Sequence, residues 1–136
     1  MSDHNIHWPT LIAAAEEAAS KAYAPYSNFH VGAAAVSVNG NVVKGCNVEN
    51  ASYGLTTCAE RNCIAQAVVK GDSNLQALVV YTKQEKLTPP CGACRQVIAE
   101  FMSEEKLVKS VNHKGDEKQW TVKQLLPDAF TPKDLT

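Results

Sequence analysis

The sequence has no excess of basic charge, no long apolar run and no export signal. Its 136 residues include 13 Lys and Arg against 14 Asp and Glu, a formal net charge of -1. Without a positive field, a nucleic-acid polymer is a poor candidate ligand, whereas a small neutral molecule is compatible. No apolar stretch approaches the roughly 18 residues that a membrane helix needs, and Met1–Pro9 does not resemble a signal peptide. We therefore expect a cytoplasmic protein, with neither a nucleic acid nor a membrane as partner.

The chain contains five cysteines, an odd number, and its sequence shows no export signal. A disulfide framework is expected in secreted proteins, whereas reduced thiols are available for metal binding or catalysis. Hydrophobic residues make up 45% and charged residues 20% of the chain, as in ordinary globular proteins. The length suits a single domain over residues 1–136.

The hydrophobic pattern alternates between helical and extended spacing. Asn39-Gly40 is typical of a tight hairpin turn, and Val68 and Val69 are assigned to the buried face of a helix. The alternation predicts an α/β sandwich with one mixed sheet. Helices are predicted over residues 10–22, 58–70, 92–103 and 122–126, and strands over 31–38, 42–46, 75–82, 107–111 and 118–122.

Three of the cysteines stand where helices are predicted to begin. Cys58 opens the second helix, and Cys91 and Cys94 open the third. Because Cys91 and Cys94 are three residues apart, the first helical turn brings both sulfurs to one face. Three thiolates can hold one tetrahedral Zn²⁺ and leave its fourth position open, the pattern of a catalytic rather than a structural site. We predict one zinc ion per subunit.

Three thiolates leave a divalent ion with a formal charge of about −1, and this charge needs compensation. The two helix N-termini each contribute roughly half a positive charge, with backbone N–H groups free to face the sulfurs. Arg61 follows Cys58 by three residues on the same predicted helical face. We therefore expect the Arg61 guanidinium to donate to a ligand sulfur and to support the site without binding the metal.

Glu60 lies two residues after Cys58, beside the predicted metal site. Hydrolytic removal of an amine from a ring needs three proton-transfer steps: a proton is taken from the attacking water, it is delivered to the ring nitrogen, and the remaining proton of the added hydroxyl is later delivered to the leaving amine. A single mobile carboxyl can carry all three in sequence. Glu60 is therefore the candidate catalytic residue.

The pattern of a Cys and a nearby Glu followed by Pro-Cys-x-x-Cys is the known signature of zinc deaminases. The chain resembles the small homotetrameric cytidine deaminases over nearly its whole length, and the joint occurrence of the motifs in this order is highly specific. This resemblance implies a three-layer α/β/α sandwich around a mixed five-stranded sheet. The matching segments are Ala24–Phe29, Val31–Ala34, Gly45–Asn50, Cys58–Arg61, Pro90–Gln96 and Leu125–Phe130.

The resemblance also implies a role for each matching residue. Cys58, Cys91 and Cys94 are the implied zinc ligands, and Glu60 is the implied proton carrier. The implied substrate is free cytidine or 2′-deoxycytidine, converted to uridine or 2′-deoxyuridine and ammonia in pyrimidine salvage. The implied substrate-binding residues comprise Phe29 against the pyrimidine, Asn47 and Glu49 at the ribose hydroxyls, backbone groups near Ala59 at the base, and Tyr53 and Phe130 reaching into a neighbouring subunit's pocket.

Simpler interpretations stand beside these expectations. The thiols could form a closed structural zinc site with Cys46, Cys63 or His30 as the fourth ligand. Asn47 and Glu49 could be turn and surface residues, and Phe29 and Phe130 could pack in their own chain's core. Two other functions remain open, a deaminase of modified cytosine nucleosides and a zinc domain without catalysis. The chain departs from the family pattern at Asn62-Cys63 and Asp128, which puts only local packing in doubt.

Overall fold

A computed structural model describes residues 6–135 of the chain. His4 and the first residues of the Met1–Pro9 segment therefore lie outside the described part. Among the described residues, no helix combines the length and the apolar character needed to cross a bilayer. The helices are α1 (Trp8–Ala19), α2 (Ala59–Val69), α3 (Gly92–Phe101) and α4 (Val122–Leu125), and the strands are β1 (Val31–Ser37), β2 (Val42–Cys46), β3 (Leu75–Thr82), β4 (Leu107–Asn112) and β5 (Glu117–Thr121).

The five strands form one sheet in the order β2-β1-β3-β4-β5. Only the β3–β4 pair is parallel, while β1 pairs with β2 and with β3 antiparallel and β4 pairs with β5 antiparallel. The parallel pair is joined through α3, as a parallel pair requires a crossover connection. The prediction of one mixed five-stranded sheet is confirmed.

Each face of the sheet buries its own apolar cluster, because successive strand residues point to opposite faces. On one face, Leu11 and Ala15 of α1 pack against Ala34, Val79 and their neighbours. The other face carries α2 and α3, and its cluster includes Cys63, Ile64, Leu78, Val80 and Ile98. Two helical layers therefore enclose the sheet, which confirms the three-layer α/β/α arrangement.

Two glycines set how closely the helices approach the sheet. A Cβ on Gly32 of β1 would lie 1.8 Å from the Ala15 carbonyl oxygen of α1, and one on Gly45 of β2 would lie 2.4 Å from the Cys63 amide nitrogen of α2. Any side chain at either position would push a helix away from the sheet. Gly45 thus fixes α2 directly over the end of β2, next to the segment that begins at Asn47.

The assignment of Val68 and Val69 to the core is wrong. Val68 is 49% exposed and Val69 is 86% exposed. The buried face of α2 consists of Ala59, Glu60, Cys63, Ile64 and Ala67. The close contact of Gly45 with the Ala59–Cys63 turn selects this face of α2. The face includes the charged residue Glu60, which an apolar pattern would place at the surface.

The remaining predicted elements lie within a few residues of their observed positions. Helix α1 begins at Trp8, where His7 is the N-cap, and ends at Ala19 rather than at residue 22. Thr121 and Gln124 form a capping box at the start of α4, so β5 ends at Thr121. The structure adds two short 3₁₀ turns, Tyr53–Leu55 and Pro132–Leu135, near the two aromatics assigned to a neighbouring pocket.

Candidate metal centre and active site

The Sγ atoms of Cys58, Cys91 and Cys94 all lie within 4.8 Å of one another. Cys58 and Cys91 are 3.9 Å apart, and Cys91 and Cys94 are 3.5 Å apart. Zn–S bonds of about 2.3 Å at tetrahedral angles would place sulfurs roughly 3.8 Å apart. The three thiols therefore fit a single zinc ion.

Helix starts supply all three thiols. Cys58 is the N-cap of α2 and Cys91 is the N-cap of α3, and neither side chain is used to cap its helix. Cys94 follows in the first turn of α3 and is buried. Both helix N-termini, with their unpaired amides and partial positive charge, therefore meet at the sulfur cluster.

No fourth protein ligand joins this cluster within residues 6–135. Cys63 is buried on the inner face of α2, where burial raises the pKa of its thiol to about 12. His30 is exposed and lies with its Nδ1 3.2 Å from the Asn28 carbonyl oxygen. A closed structural site with Cys46, Cys63 or His30 as fourth ligand is therefore not formed by the described residues.

Arg61 contacts the cluster as its spacing predicted. Its Nη2 donates to the Cys58 Sγ at 3.4 Å. The neighbouring thiol of Cys94 and, after it, the Arg61 guanidinium lower the pKa of Cys58 to about 5. The hydrogen bond with Cys58 and, after it, burial in turn raise the pKa of the Cys94 thiol. The guanidinium thus stabilises negative charge on sulfur without coming between the thiols.

Glu60 is only 5% exposed, on the inner face of α2. Burial, with a further contribution from the charge of Cys58, raises the pKa of its carboxyl to about 7. A carboxyl in this range can both accept and release a proton near neutral pH. An ordinary surface ion pair, the simplest explanation of a Glu-Arg sequence on a helix, does not describe this buried residue.

Asn47 is buried and uses its side chain within the chain. Its Oδ1 accepts from the Val31 amide at 2.9 Å, and its Nδ2 donates to the Phe29 carbonyl at 2.7 Å. These two bonds hold the backbone on either side of His30, so they fix the position of Phe29. One N–H and one lone pair of the Asn47 amide are not used by these bonds.

Glu49 is held by the turn at Tyr26-Ser27. Its Oε1 accepts from the amides of Tyr26 and Ser27 at 2.9 and 3.1 Å, and its Oε2 accepts from the Ser27 hydroxyl. The Ser27 hydroxyl first, and then the two amides, hold the pKa of Glu49 below its usual value. The carboxylate is therefore fixed and charged beside an open cavity of about 360 Å³ lined by Tyr26, Ser27, Glu49, Tyr53 and Thr56.

Of the three aromatic residues predicted to contact substrate, one is half-buried and two are exposed. Phe29 packs against the α2–α3 core cluster and lines a second cavity, of about 270 Å³, with residues of the 84–89 loop. Tyr53 is 74% exposed and Phe130 is 58% exposed. Packing in its own chain's core is thus excluded for Phe130.

Sequence reasoning missed the polar contacts that connect these parts. Asn62, a departure from the family pattern, donates from Nδ2 to the Cys46 carbonyl at 2.8 Å and lies 3.1 Å from the Thr57 hydroxyl. It therefore links the residue before Asn47 to the residue before Cys58. The position of Asn62 on its helix gave no signal for this contact, because Cys46 lies 16 residues earlier in the chain and Thr57 lies just before the helix begins.

Comparison with known proteins gives a consistent result. Residues 8–110 match the family model described as the cytidine and deoxycytidylate deaminase zinc-binding region. The fold and the sulfur cluster define a zinc-dependent deaminase domain. The chain belongs to the cytidine and deoxycytidylate deaminase family.

Individual relatives agree over nearly the whole chain. The cytidine deaminase of Sporosarcina psychrophila is 47% identical over 126 residues, 93% of each chain. That of Mycobacterium tuberculosis is 43% identical over 131 residues, 96% of this chain and 95% of the relative. A crystal structure of cytidine deaminase from Burkholderia pseudomallei superposes with a TM-score of 0.88 at 46% identity, covering 92% of this chain and all of the other. The predicted enzyme class, a zinc-dependent cytidine deaminase, and its zinc cofactor are confirmed.

Proposed function

We propose that the protein hydrolyses free cytidine and 2′-deoxycytidine to uridine and 2′-deoxyuridine, releasing ammonia, as a cytoplasmic enzyme of pyrimidine salvage. One observation carries the proposal. Three thiols from two helix N-termini converge with a buried carboxyl beside them, and the described residues supply no fourth ligand. This arrangement leaves a position for water and substrate, which a closed structural site does not.

Cys58, Cys91 and Cys94 hold the zinc ion in this proposal. Their spacing supports it, since the Sγ atom of Cys91 lies 3.9 Å from that of Cys58 and 3.5 Å from that of Cys94, close to the distances of a tetrahedral site, and all three lie within 4.8 Å of one another. Zinc bound there supplies Lewis acidity that makes water a nucleophile near neutral pH. Arg61 and the two helix N-termini offset the charge of the thiolates.

Glu60 moves the protons. Its carboxyl takes a proton from the attacking water and delivers it to the ring nitrogen, then takes the remaining proton of the added hydroxyl and delivers it to the departing amine. The burial of Glu60 beside Cys58 supports this role, because a desolvated carboxyl exchanges protons near neutral pH. Backbone groups near Ala59, at the free N-terminus of α2, contact the base.

The sugar and the ring are held by Phe29, Asn47 and Glu49. Phe29 packs against the pyrimidine, while the remaining hydrogen-bonding capacity of Asn47 and Glu49 serves the ribose hydroxyls. Glu49 already accepts three hydrogen bonds, and an ionised carboxylate offers about four acceptor sites. Its fixed position beside an open cavity supports the assignment.

Residues 1–136 form one domain, and four such subunits form a homotetramer with shared pockets. Both apolar clusters lie on one sheet, which supports a single domain. The exposure of Tyr53 and Phe130 supports a shared pocket, because large aromatics are usually buried against something. In this assembly each pocket uses one chain's Cys58, Glu60, Cys91 and Cys94 and is closed by aromatics of its neighbours.

Ammonia release by the purified zinc-loaded protein tests the proposal. Cytidine and 2′-deoxycytidine should both be turned over, whereas cytosine and single-stranded DNA should be poor substrates. Methylated cytidines compared in the same assay decide whether a modified nucleoside is preferred. Zinc binding without turnover of any cytosine compound would contradict the proposal and favour a non-catalytic zinc domain.

A further inference from the structure

Two consecutive residues of α3 attach the C-terminal segment, residues 126–131, to the helix that carries Cys94. Arg95 donates from Nε to the Pro90 carbonyl at 2.8 Å and from Nη1 to the Leu125 carbonyl at 3.0 Å. Gln96 donates from Nε2 to the carbonyl of Phe130 at 2.9 Å. Arg95 thus holds Leu125, the last residue of α4 before the segment, and Gln96 holds Phe130, the segment residue whose ring is exposed.

The segment needs such an attachment, because it contains little regular structure. It follows the four-residue helix α4 and turns at Asp128, whose φ of 54° lies in the left-handed region. The Phe130 ring is 58% exposed although its backbone carbonyl is bound. The hydrogen bond therefore orders the backbone of Phe130 and leaves its side chain directed away from the chain's own core.

We propose that Gln96 is a positioning residue for the neighbouring subunit: it fixes the backbone of Phe130 so that the ring closes the next subunit's nucleoside pocket. The inference rests on the proposed shared pocket. The Gln96 hydrogen bond connects α3, the helix that carries Cys94 in one subunit, to the substrate affinity of another. Gln96 itself touches neither substrate nor metal in this proposal.

Loss of the hydrogen bond should act on substrate binding rather than on chemistry. Without Gln96, the segment must be ordered each time a substrate is enclosed, and this cost appears as weaker binding. Gln96→Met preserves helix propensity and side-chain length while removing the donor. We expect its KM for cytidine to rise about three- to tenfold, the range for losing one neutral hydrogen bond, with kcat and zinc content close to the parent values.

Gln119→Met is the matched control, since Gln119 is exposed on β5, away from α3. It should leave KM unchanged. Thermal unfolding and sedimentation of all variants check that the subunits fold and assemble alike. A parent-like KM for Gln96→Met would overturn the inference.

Subunit mixing distinguishes action on the neighbour from action within one chain. Gln96→Met subunits are exchanged into a tenfold excess of Glu60→Gln subunits, so that each intact Glu60 faces neighbours with an intact Gln96. The KM of the mixture should return to the parent value. A KM that stays raised would mean that Gln96 acts on its own subunit's pocket, and the inference would be wrong.

The same mixing experiment with Phe130→Ala separates this inference from the proposed function. If Phe130→Ala is corrected by neighbours and Gln96→Met is not, the shared pocket stands and the role of Gln96 is refuted. If neither is corrected, the shared pocket itself is refuted, and the inference with it. Should Gln96→Met fail to fold, Gln96→Glu replaces it, because a carboxylate of the same size cannot donate to the Phe130 carbonyl.

Discussion

The two ends of the proposed pocket are built in different ways. The metal end consists of Cys58, Glu60 and Cys94, with Cys91 at its outer side, and is held by the first turns of two helices on one sheet. The open end consists of Glu49 and of the Tyr53 and Phe130 rings that neighbouring subunits contribute in the proposed assembly. These residues lie on a loop, a 3₁₀ turn and a C-terminal segment. Glu60 is 5% exposed, whereas Tyr53 is 74% exposed. Within the described residues, a single chain supplies the three thiols and Glu60 of the metal end, but it leaves its Tyr53 and Phe130 rings exposed.

This difference separates the groups that carry out the reaction from the groups that set the affinity for substrate. In the proposed pocket, the groups that must keep fixed distances to a metal lie on rigid helix starts, while the groups proposed to enclose the substrate lie on loops that a neighbour can complete. Changes at the metal end should therefore abolish turnover, and changes at the open end should mainly weaken binding. The following predictions test this separation.

The largest effect is expected at a thiol. Cys58→Ala should lose zinc and all measurable turnover, because two thiolates cannot hold the ion as three do. Metal analysis after dialysis, together with ammonia release, measures both quantities. Cys46→Ala is the matched control, since Cys46 lies outside the sulfur cluster, and it should retain zinc. Full zinc occupancy in Cys58→Ala would contradict the assignment of the metal end.

Removing the proton carrier should separate metal binding from chemistry. Glu60→Gln should keep zinc and fold, and its kcat should fall by more than the ~10²–10⁴-fold typical of one proton transfer, because several transfers use this carboxyl. Metal content and single-turnover rates provide the measurement. Near-parent turnover would show that another group carries the protons.

A change at the open end should act on the sugar. Glu49→Ala should raise the KM for cytidine about tenfold or more while cytosine turnover, already poor, changes little, since remote contacts align the base for attack. Glu100→Ala, at an exposed carboxylate of α3, is the control and should behave like the parent. An equal loss with cytosine and cytidine would indicate a folding effect instead.

The smallest effect concerns the pH dependence of the open end. The Ser27 hydroxyl lowers the pKa of Glu49, so the carboxylate should stay charged, and KM constant, to a lower pH than an ordinary Glu allows. As pH falls through this lowered pKa, Glu49 becomes protonated and KM should rise. Ser27→Ala raises the pKa towards its ordinary value, so the same rise should begin at higher pH. Coincident KM profiles for the two proteins would contradict this contribution of Ser27.

Much of the fold could be predicted because it depends on local geometry. The strand over residues 75–82 was predicted with its observed bounds, since a run of apolar residues between turns is sufficient evidence for a buried strand. Asn39-Gly40 predicted the hairpin between β1 and β2, because this dipeptide is typical of a tight hairpin turn. The buried face of α2 could not be predicted in this way, because the contact with Gly45 selects it.

The site shows the same division. The spacing of Cys91 and Cys94 is a property of one helical turn, so sequence alone could pair them. The motif resemblance added Cys58, Glu60 and the candidate sugar residues. It gave no indication that Asn47 binds the backbone around Phe29, that Ser27 fixes Glu49, or that Gln96 holds Phe130.

By itself, the sequence determined the helices, most strands and, through its motifs, the three thiols and the Glu60 carboxyl of a zinc deaminase, but not the burial of Glu60. Tertiary structure alone decided that Cys58 and Cys91, 33 residues apart, would approach to 3.9 Å, and that the Tyr53 and Phe130 rings would remain exposed. The physical reason is separation along the chain. Periodicity and spacing report on neighbours within a few turns of backbone, whereas the approach of distant thiols and the exposure of these rings depend on how the strands are ordered in the sheet.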